Sequence, residues 1–140
     1  MNAFTYGYSN DDVNFDVMKS VVIRSIDGME KGSEEIIFNT ECGRQFKMFH
    51  MQYCGENVYL DDICGDPDDL IGCEILHFEE RTNRGDEDSE DKPSCYSGSF
   101  TWTFYDIQTS KGSVNLKWLG ESNGYYSEDV WFLEGKKVAN

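Results

Sequence analysis

The sequence has few basic side chains, no Cys-x-x-Cys pair and no long apolar run, and each absence removes a class of function. Only 12 Lys and Arg stand against 27 Asp and Glu, for a formal net charge of -15 at pH 7. Phosphate backbones and anionic membrane surfaces repel such a chain before short-range contacts form, so binding to nucleic acid or to a membrane surface is not expected. No apolar stretch approaches the roughly 20 residues that span a bilayer, and residues 1–12 carry neither a basic start nor an apolar run. Membrane insertion and secretion are therefore not expected. The cysteines stand at 42, 54, 64, 73 and 95, an odd number. They signal neither a complete disulfide framework nor a zinc ribbon, and reduced thiols in a cytoplasm fit best.

Catalytic motifs are missing as well. There is no Gly-x-x-x-x-Gly-Lys loop, no dinucleotide fingerprint and no His-Glu-x-x-His. The histidines, His50 and His77, accompany no nucleophile elbow. Enzymatic activity and a bound cofactor are not expected.

What is present is apolar material for a core. Of 140 residues, 39% are hydrophobic and 14% aromatic, which sets the chain apart from disordered acidic proteins and suits one domain over residues 1–140. Alternation with period two dominates. Phe100, Trp102 and Phe104 alternate with threonines, and Val114, Leu116 and Trp118 alternate with Asn115 and Lys117. Ser110 to Ser113 would join them as a hairpin, and Asn123-Gly124 would turn the chain into a strand at 130–133, giving three antiparallel strands in succession. Further strand candidates are 21–26, 35–38, 46–51, 58–63 and 73–78. Between the last two, Asp66 reads as an N-cap, Pro67 as the first residue of a helical turn, Asp68 and Asp69 as acids near its positive end, and Gly72 as its stop. A short helix is expected within 11–18. The fold class is mainly β, with one curved antiparallel sheet or a small sandwich, one or two short helices, and a core of Phe100, Trp102, Phe104, Leu116, Trp118 and Phe132.

Residues 83–98 lose apolar character and read as a mobile acidic loop. The negative charge gathers around it: from Asp61 to Asp91 there are 13 acids and 2 bases.

Several clusters carry possible chemistry. His50 and Cys54, with Cys42 and Cys64 near in sequence, are ligand types that suit zinc, but their spacing matches no known module, and His50 shares a strand face with Phe46 and Met48 as a core histidine would. Asp61, Asp62, Asp66, Asp68 and Asp69 offer oxygen ligands without the order of a calcium loop, and capping accounts for three of them. Glu79 and Glu80 are adjacent on a strand and point to opposite faces, which disqualifies them as a catalytic pair. No metal site is expected. The run 120–128 reads as a turn that presents Glu121, Tyr125, Tyr126 and Glu128 as a contact surface.

Glu56-Asn57-Val58-Tyr59-Leu60-Asp61-Asp62-Ile63, Gly65-Asp66, Asp69-Leu70-Ile71-Gly72, Glu79-Glu80, Thr101-Trp102-Thr103-Phe104-Tyr105, Lys111-Gly112-Ser113-Val114, Trp118 and the run from Gly120 to Glu128 follow one another in a recognisable order. Over residues 19–134 the chain resembles a family of small uncharacterised domains associated with bacteriophages and prophages. Tyr53 and Gly55 stand where the family pattern has Asp and a second Cys beside Cys54. The resemblance implies a viral or mobile-element origin and no particular activity.

Charge and resemblance together lead to an acidic phage-encoded protein in the bacterial cytoplasm that binds a host protein with a basic surface. Phosphate mimicry against a nucleic-acid-binding or defence enzyme is the form expected, with Asp86, Glu87, Asp88, Glu90, Asp91, Glu121, Tyr125, Tyr126 and Glu128 as contacts. The alternatives are a small-ligand or metal-binding module, and a virion or host-takeover assembly protein without mimicry.

Overall fold

The computed structural model describes residues 4–8, 13–50, 56–85, 98–122 and 127–139. Among them are the strands β1 (Phe4–Tyr8), β2 (Ile23–Asp27), β3 (Glu35–Thr40), β4 (Gln45–Phe49), β5 (Glu56–Cys64), β6 (His77–Gly85), β7 (Ser99–Thr109), β8 (Gly112–Ser122) and β9 (Trp131–Ala139). They form two sheets, ordered β1-β9-β4-β3-β2 and β5-β8-β7-β6, with every pairing antiparallel. The mainly β expectation holds in its sandwich form. Among the described residues the helical content is two 3-10 turns, Phe15–Met18 and Pro67–Leu70. The second is built as its sequence implies: Asp66 Oδ1 accepts from the Asp68 amide at 3.0 Å, Pro67 opens the turn, and Gly72 follows at a φ of +82°.

One apolar cluster lies between the sheets. Ile36, Phe38, Phe46, Met48 and Phe132 enter it from one side, and Val58, Leu60, Phe78, Tyr105, Ile107, Leu116 and Trp118 from the other. Phe132 is its aromatic centre, with ring centroids 5.3 Å from Phe15, 5.6 Å from Phe46, 6.0 Å from Phe38 and 5.3 Å from Phe78. Rings from both sheets and from the first 3-10 turn thus meet on one β9 side chain, in the offset and edge arrangements that aromatic quadrupoles favour.

The structure corrects the sequence reading at five places. Phe100 and Trp102 do not share the core of Trp118: with Leu119 they form a separate buried cluster, against which Phe104 and Tyr59 pack. Because alternate residues of a strand face opposite ways, the inward face of β7 is the one bearing Thr101, Thr103, Tyr105 and Ile107, all buried. The apolar-polar alternation of residues 100–104 therefore runs opposite to the inside-outside alternation. Second, the C-terminal strands are not three in a row, since β9 pairs with β4 and β1 in the other sheet. Third, the segment 73–78 is a strand only at its end. Glu74 makes an isolated bridge to Val22, and β6 begins at His77. Fourth, Asn83, Arg84 and Gly85 belong to β6, paired with Trp102, Thr101 and Phe100, rather than to a loop. Residues 86–97 of the expected loop lie outside the described residues. Fifth, β1 adds an edge strand on β9 that the sequence reading did not include.

Trp118 is fully buried, whereas Phe104 is only partly covered. Trp118→Ala should cost about 3 to 5 kcal/mol of unfolding free energy, and Phe104→Ala clearly less. Urea denaturation of the two variants measures the difference, and equal losses would show that the two faces of β7 and β8 are misassigned.

Candidate functional site at the crossing between the sheets

The chain leaves one sheet at Ser122 and enters the other at Trp131. The described part of that crossing, 127–130, is held from three strands, β6, β7 and β8, and from the end of β4. Glu128, only 5% exposed, accepts hydrogen bonds from Ser99 Oγ, from Thr101 Oγ1 at 2.8 Å and from Ser122 Oγ at 2.5 Å. Three hydroxyl donors are what a buried carboxylate needs in place of water. Gly120 makes the approach possible, since a Cβ there would stand 2.8 Å from Glu128 Cβ and closer still to its carbonyl oxygen.

Asp129 is held at both its backbone and its side chain. Its carbonyl oxygen lies 2.6 Å from His50 Nδ1, just beyond the end of β4, and its Oδ1 accepts from Arg84 Nη2 of β6 at 2.5 Å. A carbonyl oxygen only accepts, so Nδ1 is the protonated ring nitrogen of this bond. The other ring nitrogen lies 3.7 Å from Glu56 Oε2, both side chains being fully buried, and the imidazole centroid is 5.6 Å from that of Trp131.

Above this knot lies an open polar cleft of about 300 Å³, lined by Glu80, Thr82, Arg84, Thr103, Asp129, Val130 and Trp131. Glu80 is oriented by the Tyr105 hydroxyl, which donates to its Oε2 at 2.6 Å. Two carboxylates, a guanidinium and two threonine hydroxyls beside an indole are the chemistry of recognition by charge and hydrogen bond.

The residues expected from sequence to make a contact surface have different fates. Glu128 is a correction: it faces inward, because the hydroxyls of β7 and β8 hold its carboxylate beneath the crossing. Glu121 is half-buried, and its carboxyl is pushed up from its ordinary value, first by burial and then by the charges of Asp61 and Glu128. Asp86, Glu87, Asp88, Glu90, Asp91, Tyr125 and Tyr126 lie outside the described residues, as do Cys54, Asn123 and Gly124. Of the aspartates weighed as oxygen ligands, Asp62 pairs with Lys31 at 3.1 Å, a contact that lowers its carboxyl from the ordinary value. Asp66 is an N-cap, and the Asp69 carbonyl accepts from Thr109 Oγ1 at 2.5 Å. Cys42, Cys64 and Cys73 are free thiols.

Sequence reasoning passed over two groupings. The knot around residues 128 and 129 joins residues that are far apart in the chain, with no local signal. The other is His77, Glu79 and Asp106, whose donor atoms all lie within 4.8 Å of one another. His-x-Glu on a strand places two of these on one face, but only the register of β6 against β7 brings in Asp106.

Residues 19–132 match the family described as Domain of unknown function (DUF7448). The chain belongs to the DUF7448 family. This range takes in β2 to β8, the crossing and the first residues of β9. No curated protein and no solved structure shows a significant match to the chain. Among the described residues, no helix is long and apolar enough to cross a membrane.

Two outcomes follow. Glu128→Ala removes three hydroxyl bonds to a charged acceptor and leaves their donors under the crossing, so it should cost on the order of 2 to 4 kcal/mol in urea unfolding. Glu121 has the opposite sign. Its raised value means that ionisation opposes folding, so the penalty is absent at low pH and appears as pH rises through and above the ordinary carboxylate range. Glu121→Gln should raise the unfolding midpoint at about pH 7 and lose that advantage at about pH 4 or below. A variant equally stabilised at both values would mean that Glu121 carries no such penalty.

Proposed function

We propose that this DUF7448 protein is a binding protein that engages a host protein through the latter's basic, nucleic-acid-binding surface, and that it works in the bacterial cytoplasm in a bacteriophage or prophage setting. The observation that carries this reading is the surplus of negative charge between Asp61 and Asp91, 13 acids against 2 bases. Arg81 lies over the Phe104 ring at 4.7 Å, and Arg84 bonds to Asp129 across the crossing. Asp66, Asp68, Glu74, Glu79 and Glu80 are all exposed along this segment. Such a surface accelerates encounter with a basic partner and rejects acidic ones.

The polar cleft fits the same reading, because Glu80 and Asp129 flank a space open to a lysine or arginine side chain. In sequence, Asp86, Glu87, Asp88, Glu90 and Asp91 add to this charge, and Tyr125 and Tyr126 are offered as aromatic anchors for the interface. The phage setting rests on the resemblance of the segments between residues 19 and 134 to phage and prophage domains.

Partner capture from a bacterial lysate, followed by binding measurements on the purified partner, tests the proposal. Affinity should fall steeply as salt rises from about 50 to 200 mM, as screening shortens the Debye length. Replacing Asp86, Glu87, Asp88, Glu90 and Asp91 together by Ser should weaken binding at least about tenfold at low salt through slower association, with unfolding unchanged. Double-stranded DNA should compete. A partner that carries DNA and this protein at the same time would overturn phosphate mimicry.

A further inference from the structure

His77 and Glu79 of β6 and Asp106 of β7 stand on the sheet face that points away from the shared core. Glu79 and Asp106 are direct cross-strand partners, and His77 is the partner of Gln108. His77 Nε2 lies 3.2 Å from Glu79 Oε2 and 3.7 Å from Asp106 Oδ2. Gln108 Nε2 donates to the same Asp106 oxygen at 3.1 Å, which orients that carboxylate from the adjacent position on β7. One imidazole nitrogen and two carboxylate oxygens therefore converge from two rungs of a ladder that is paired without a bulge over His77–Gly85.

We propose that His77, Glu79 and Asp106 bind a divalent transition-metal ion, with Zn²⁺ as its representative. Ligand atoms about 2.1 Å from one ion lie roughly 3.0 Å apart at a right angle and roughly 3.4 Å apart at the tetrahedral angle. The separations of 3.2 and 3.7 Å from His77 Nε2 are close to these values, and with all three donor atoms within 4.8 Å of one another, rotation of the side chains would close them on one ion. The donor set decides the class of ion. Imidazole nitrogen favours Zn²⁺ and its neighbours over Mg²⁺ or Ca²⁺, which take all-oxygen shells. Gln108 supplies the outer bond that fixes a ligating carboxylate. His77 and Asp106 are part exposed and Glu79 is exposed; Glu79 and Asp106 line a depression of about 390 Å³ together with Arg81, Phe104 and Asn115. Three protein ligands would leave coordination positions open to water or to a donor from a partner. The site is independent of the acid-driven binding proposed above, and it survives if that reading fails.

The two histidines make the test direct. Zn²⁺ is titrated into the reduced full-length protein while the imidazole resonances of His50 and His77 are followed by NMR. One equivalent should move the His77 ring and leave the buried His50 ring unchanged, and the same concentration of Mg²⁺ should move neither. Glu79→Gln and Asp106→Asn should each weaken Zn²⁺ affinity at least about tenfold, and His77→Ala should remove the site. These positions are solvent-accessible, so unfolding midpoints of the variants should stay near that of the parent chain. An unmoved His77 ring, an equal response to Mg²⁺, or undiminished Zn²⁺ affinity in His77→Ala would overturn the assignment.

Discussion

The carboxylate of Glu128 sits where the chain passes from one sheet to the other, and the arrangement of both sheets depends on its being held there. Burying an ionised carboxylate is costly unless donors replace its water. Ser99, Thr101 and Ser122 supply those donors from two neighbouring strands, and Gly120 leaves the space. The carboxylate thereby ties the crossing down onto β7 and β8. From the next residue, His50 and Arg84 tie Asp129 to the end of β4 and to β6. With the crossing fixed, β9 is delivered into the other sheet between β1 and β4, and Phe132 arrives at the aromatic centre of the core.

The same knot shapes the surface above it. Arg84 is bonded to Asp129, and Trp131 is brought beside the imidazole of His50. A structural solution to a sheet crossing thus leaves a polar cleft at its mouth and a surplus of carboxylates around it. The opposite face of the four-stranded sheet is chemically different. There Lys117 and Arg81 lie over Trp102 and Phe104, so two of the few cations spend their charge on aromatic rings. Farther along that face, His77, Glu79 and Asp106 converge.

The parts legible in the sequence were those in which the cause is local. Asp66, Pro67 and Gly72 each act within a few residues, so the 3-10 turn and its limits follow from cap chemistry and a left-handed glycine. Period-two alternation located β7 and β8 because a strand repeats every two residues whatever it packs against. The parts that were not legible require knowing what lies opposite. Thr101 and Thr103 read as an outward face because a threonine row is usually solvated, yet Thr101 points inward to serve a carboxylate 27 residues away.

Composition and local pattern by themselves determined that the chain is mainly β, acidic, rich enough in apolar residues for a core, and turned sharply at residues 66–72. These properties depend on side-chain chemistry and short-range backbone geometry. Tertiary structure alone decided which face of β7 is inside, that β9 leaves its sequence neighbours for the other sheet, that Glu128 is buried, and that Asp106 meets His77 and Glu79. Each of these depends on strand register and sheet partner, which are set by the free energy of packing the whole chain and leave no mark in any short window of residues.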